Sequence, residues 1–119
     1  MRERNVFRNI IDNIPHAVYF KDKKGRFIWV SKIYGTTHGA VIGKTDFDLY
    51  PEDEAREATE DDKRVMETGE PIIDKEERFT APDGSELHIL TTKAPLFDRD
   101  GDIIGIVGIA RDITQQKKS

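Results

Sequence analysis

Cysteine is absent from the 119 residues. Disulfides, thiolate metal sites, iron–sulfur clusters and cysteine nucleophiles are thereby excluded. No apolar run is long enough to span a bilayer, and no signal-peptide pattern opens the chain. A basic surplus is also missing. The 19 Lys and Arg are outnumbered by 23 Asp and Glu, giving a formal charge of −4. That balance argues against a nucleic-acid surface or an anionic-membrane surface. No glycine-rich phosphate loop follows a strand pattern, and no nucleophile–base pair falls in a recognisable motif. A small enzyme is therefore the remote alternative. Repeats and low-complexity segments are lacking too, and the cysteine-free composition suits a cytoplasmic setting.

What is present fits one domain with one core. Phe7, Ile10, Ile11 and Ile14 recur at helical spacing before Pro15, an amphipathic helix over 6–14. Ala17 to Lys21 and Arg26 to Ser31 read as strands around the Asp22-Lys23-Lys24-Gly25 turn. Ile33 to Gly43 and Thr45 to Tyr50 suit short helical turns. A longer helix is predicted from Pro51, at its first position, to Thr68, with Gly69 as its stop. Three strands follow: Ile72 to Thr80, Glu86 to Phe97 and Asp102 to Ile113. Pro82-Asp83-Gly84 and Asp98-Arg99-Asp100-Gly101 supply the turns between them. The fold class is α+β: a five-stranded antiparallel sheet with helices on one face and an N-terminal amphipathic helix.

Two features bear on function. The last strand is apolar on both faces, with Ile104, Ile106, Gly108 and Ala110 on one and Ile103, Val107 and Ile109 on the other. Burial of both faces is expected, either within the chain or against the N-terminal helix or a second copy. On the longer helix Asp62 interrupts the stripe Ala55, Ala58, Val65, Met66. Either the helix is rotated and Asp62 is solvated, or Asp62 is buried and paired with Lys93 or Lys21. The acidic group Asp46, Asp48, Glu52, Asp53 and Glu54 lacks calcium-loop spacing and reads as helix capping and dipole compensation.

Seven short motifs occur in order: Tyr19-Phe20-Lys21-Asp22, Gly43 to Asp48, Thr68-Gly69-x-Pro71-Ile72, Lys75-Glu76-Glu77, Pro82-Asp83-Gly84, Thr91-Thr92-Lys93-x-Pro95-Leu96, and Gly108-Ile109-x-Arg111-Asp112-Ile113-Thr114. Together they cover nearly the whole chain and resemble a PAS domain of the bacterial or archaeal signalling type. Ser31 stands where that type usually has Asn, the segment from Ser31 to Gly43 is shorter than usual, and His88 replaces a frequent aromatic.

The resemblance implies a sensor module, residues 15–114, that binds a small molecule or relays a signal. Residues 115–119 would begin a linker helix to a covalently attached output, such as a histidine kinase of a two-component system or a diguanylate cyclase. A ligand-free module serving dimerisation and relay is the alternative. Candidate pocket residues are Phe20, Ile28, Val30, Tyr34, Asp62, Met66, Ile89, Thr91, Lys93, Ile106 and Gly108. Candidate coupling residues are Arg111, Asp112 and Thr114, with Arg111 offered as charge partner to Asp112. The cofactor is unknown. Cysteinyl flavin is disfavoured because the chain has no cysteine, and haem because His16, His38 and His88 all lie off the longer helix. A homodimer is expected, without nucleic-acid or membrane contact by this segment.

Overall fold

A computed structural model describes residues 8–11 and 13–118. Five strands, β1 (Ala17–Asp22), β2 (Phe27–Val30), β3 (Ile72–Thr80), β4 (Glu86–Phe97) and β5 (Ile103–Asp112), form one sheet in the order β2-β1-β5-β4-β3. All neighbouring pairs are antiparallel. Helices α1 (Lys32–His38), α2 (Asp46–Leu49) and α3 (Glu52–Thr68) come between β2 and β3 and pack on the sheet's inner face. A terminal helix, α4 (Thr114–Lys118), follows β5. The element order is the one read from the sequence, and the strand ends shift by at most a residue.

Local chemistry explains these elements. Gly25, Gly84 and Gly101 take positive φ at the three hairpin turns, where an L side chain is disfavoured. Pro51 caps α3 instead of opening it; its ψ of 151° is extended. Three acidic residues fill the first turn of α3, and Gly69 closes it in the left-handed conformation. The buried stripe of α3 is Ala55, Ala58, Asp61, Asp62 and Val65. Small residues let the helix lie close to the sheet, and two carboxylates face inward with them.

Core packing centres on the rings of Tyr19, Phe27 and Tyr34, whose centroids lie 5.4–5.5 Å apart, together with Val41. The last strand is less covered than its composition suggests. Ile106 is fully buried, whereas Ile104 and Ile109 are about two-fifths exposed, at 41% and 40%. Residues 8–11 and 13 are helical, with Ile10 exposed and Ile11 half-buried. Arg8 lies 4.4 Å from the Trp29 ring centroid. Phe7, the first residue of the predicted apolar stripe, is outside the described residues.

Candidate functional site

Strand alternation puts Ala17, Tyr19 and Lys21 of β1 on the inner face. Their register partners on β5 are Ala110, Gly108 and Ile106. Beside them stand Ile89, Thr91 and Lys93 of β4, then Glu77 and Phe79 of β3. Tyr34 and His38 from α1, Asp46 from α2, the following Tyr50, and Ala58 from α3 close over this surface. They enclose a cavity of about 120 Å³. Its walls are largely aromatic and aliphatic.

One end of the cavity is charged. The Lys21 ammonium donates to Asp46 Oδ2 at 2.5 Å and to Asp62 Oδ2 at 2.8 Å. Lys93 donates to the Ala58 carbonyl at 3.2 Å and lies 2.9 Å from Asp62 Oδ1, an ion pair by distance with poor hydrogen-bond alignment. All four side chains are at most 6% exposed. Burial alone would push both ammonium groups toward neutrality. The Asp62 and Asp46 carboxylates outweigh it, so both lysines hold their protons more tightly than in water. Asp46 can turn inward because Asp48 does the capping, accepting from the Thr45 amide at 3.0 Å.

A second ion pair lies beside the first. Lys75 Nζ meets Asp61 at 2.5 Å, with Arg64 on the same carboxylate at 2.6 Å. Lys75 also lies 3.6 Å from Glu77. The Glu77 side chain is only 2% exposed, and neither carboxyl oxygen has a hydrogen-bond partner. The buried Thr91 hydroxyl is likewise unpartnered. At the other end His38 stacks on Tyr34 at 4.4 Å, and its Nε2 lies 2.9 Å from the Tyr50 hydroxyl. Burial pushes the His38 pKa down, although the Tyr34 backbone and Asp46 oppose it.

Of the residues picked from sequence, Tyr34, Ile89, Thr91 and Lys93 line the cavity, and Asp62 anchors its charged end. The others do not line it, for distinct reasons. A register shift in the β1–β2 pair sets Trp29 opposite Phe20 and Val30 opposite Tyr19, with Phe27 opposite Lys21. Strict alternation therefore fails at Ile28, which points outward at 47% exposure, while Phe27 takes the wall position. Val30 packs behind the core rings. Phe20 stacks on Trp29, 5.1 Å away on the outer face. Met66 lines an open groove with Lys63, Ile103 and Ile104. Ile106 is fully buried opposite Lys21, and Gly108 lies under the Tyr19 ring.

Asp112, a candidate coupling residue, also borders the cavity. Its carboxylate accepts from the Thr114 amide at 2.9 Å, not from the exposed Arg111. Asp46 and Glu77 were missed as buried groups. The only sequence signal for them was an acidic residue at an inward register position.

A sequence model of the PAS fold matches residues 11–118. The methanogenesis regulatory histidine kinase FilI of Methanothrix harundinacea is 32% identical over 95% of the chain, and the match spans 13% of FilI. A diguanylate cyclase of Vibrio cholerae is 24% identical over 88% of the chain and is spanned over 34% of its length. The solved structure of VqmA bound to DPO superposes with a TM-score of 0.80 at 26% identity, covering 92% of this chain and 58% of that one. The chain thus spans about an eighth to a third of these curated relatives. With its five-stranded antiparallel sheet, helical cover and family match, the chain belongs to the PAS family, as a sensory signalling module.

Proposed function

We propose that this module binds a small molecule in the cavity between the sheet and helices α1–α3, and passes its occupancy through β5 and α4 to an attached output. Residues 15–114 form the sensor, and residues 115–119 lead toward that output, a histidine kinase or a diguanylate cyclase like those of the relatives. The observation that carries the reading is a largely apolar cavity into which buried, unsatisfied polar groups are placed. Native interiors rarely leave such groups without partners, and an occupant would supply them. The volume is near that of cavities that accept benzene, so the ligand is smaller than a drug-sized molecule. No helix among the described residues is long and apolar enough to cross a membrane.

The test is thermal stabilisation of the purified protein by a library of small metabolites, followed by calorimetry on the hits. A saturable ligand whose effect is lost in Ile89→Trp, which fills the cavity, supports the reading. A protein stabilised by none, and carrying no copurified molecule by mass spectrometry, would instead be a ligand-free relay. The Lys21–Asp46–Asp62–Lys93 network favours that second reading in one respect, since it is largely satisfied within the chain. A homodimer through the N-terminal helix and the outer sheet face would suit either reading. Sedimentation of a monomer at high micromolar concentration would count against it.

A further inference from the structure

Building on the reading of the cavity as a ligand site, we infer that its occupant is a small primary amine with an apolar body, its ammonium held by Glu77 and Thr91. Three observations carry this. First, both Glu77 oxygens are buried and lack hydrogen bonds. The nearest cation, Lys75 Nζ, stands 3.6 Å away, beyond hydrogen-bond range, and is engaged at 2.5 Å by Asp61. Second, the register pairs Lys75 with Thr91 and Glu77 with Ile89. Glu77 and Thr91 are therefore diagonal neighbours on the inner face. The unpartnered Thr91 hydroxyl adds a third acceptor to the two carboxyl oxygens.

Third, the cations around Glu77 are committed to other carboxylates. Lys21 and Lys93 pair with Asp46 and Asp62, and Lys75 and the 65% exposed Arg64 both hydrogen-bond Asp61. With Arg64 counted the charges balance, but no cation donates a hydrogen bond to Glu77. A buried carboxylate without a hydrogen-bond partner is costly. An ammonium brings one positive charge and three donors, matching the three free acceptors. A guanidinium has more donors than the site has acceptors, and an anionic ligand would meet Glu77 head-on. Tyr19, Tyr34, Phe79 and Leu87 offer apolar surface to the remainder of the molecule.

The experiment titrates the protein by calorimetry with cyclopentylamine and with cyclopentanol, a neutral molecule of the same shape. Wild type is expected to bind the amine at least about tenfold more tightly. Glu77→Gln should abolish that preference while leaving affinity for the alcohol unchanged within about threefold, and Thr91→Val should weaken only the amine. Glu77→Gln should also melt no lower than wild type without ligand, since it removes a buried carboxylate that no donor satisfies. If Glu77→Gln does not melt cooperatively, Thr91→Val carries the comparison. Equal binding of amine and alcohol, or an amine preference that survives Glu77→Gln, overturns the inference. If neither probe binds, benzene separates the two failures. Benzene binding removes the amine inference alone, and no binding removes the cavity reading as well.

Discussion

The phenol ring of Tyr19 fills the space into which a Cβ at residue 108 would project, and Gly108 lies directly opposite it in the β1–β5 register. Phe27 stands edge-on at 5.5 Å and Tyr34 at 5.5 Å, so the ring is confined on its other sides too. Gly108 thus shapes the cavity through the tyrosine above it, without lining it. Gly108→Ala should cost about 1–3 kcal/mol through overpacking and should displace the Tyr19 ring toward the cavity. Chemical denaturation measures the first effect and ligand affinity the second. Wild-type stability would show that the ring has room to swing away.

The buried charges make a sharper contrast. Asp62 is the shared partner of Lys21 and Lys93, and Asp62→Ala leaves two buried ammonium groups facing a single carboxylate. The expected loss is about 3–5 kcal/mol. Arg56 and Glu52 form an ion pair of similar type on the outer side of α3, but they are 58% and 79% exposed. Arg56→Ala should therefore change stability by no more than about 0.5 kcal/mol. Similar losses in the two variants would mean that water reaches the inner network.

The fold was readable because its signals are local. Turn residues, apolar alternation and the helix stop at Gly69 each act within a few residues. Asp62 was readable for the same reason, as a carboxylate at a helical spacing that should be apolar, and both lysines suggested for it turned out to be its partners. Rotation of α3 away from the core, the alternative, is not what the structure shows. Ile28 misled because a single register shift displaces the start of β2, bringing Phe27 in place of Ile28 opposite Lys21, and nothing in Phe27 to Val30 announces it. Glu77 sits among Lys75, Glu76 and Arg78, a run indistinguishable from a solvated edge until helix α3 is laid over it. Its burial is a property of topology, which composition does not encode.

The proton-binding groups of the cavity set the pH response. Burial pushes the phenols of Tyr19 and Tyr34 up, and that of Tyr50 up to about 12. For Lys21 and Lys93 burial acts downward but their carboxylate partners prevail, so these rise as well. An unfolded chain releases such protons near pH 10. Above that the unfolded state binds fewer protons than the folded one, so stability should fall as pH rises from about 10. His38 works at the other end. Its folded pKa is lowered, so the unfolded chain takes up a proton first, and stability should fall as pH drops from about 6.5 toward the folded value. Denaturation midpoints across pH, read with tyrosinate absorbance, check both. Tyrosines that ionise while the protein is still folded would contradict the alkaline half.

The chain leaves the sheet through a small set of hydrogen bonds centred on His88 of β4. The Ile113 amide donates to the His88 carbonyl at 2.8 Å, and the His88 amide donates to Thr114 Oγ1 at 3.0 Å. Asp112, bordering the cavity, holds the Thr114 amide at 2.9 Å at the start of α4. Side chains of this kind fix the direction of a following helix. A change in the cavity wall would therefore reach the start of α4 through one carboxylate and one hydroxyl, while the Lys117–Glu76 ion pair, at 2.9 Å, ties its far end to β3. Coupling requires that both bonds differ between the empty and occupied states. Asp112→Ala should keep the fold, at about 1 kcal/mol, because Thr114 still binds β4. In the full-length protein it should make output activity insensitive to ligand. Thr114→Val should do the same and also loosen α4 from β4, seen as faster amide exchange at His88. Full ligand dependence in both variants would show that the exit bonds only shape a turn, and that the signal leaves by another face of the sheet.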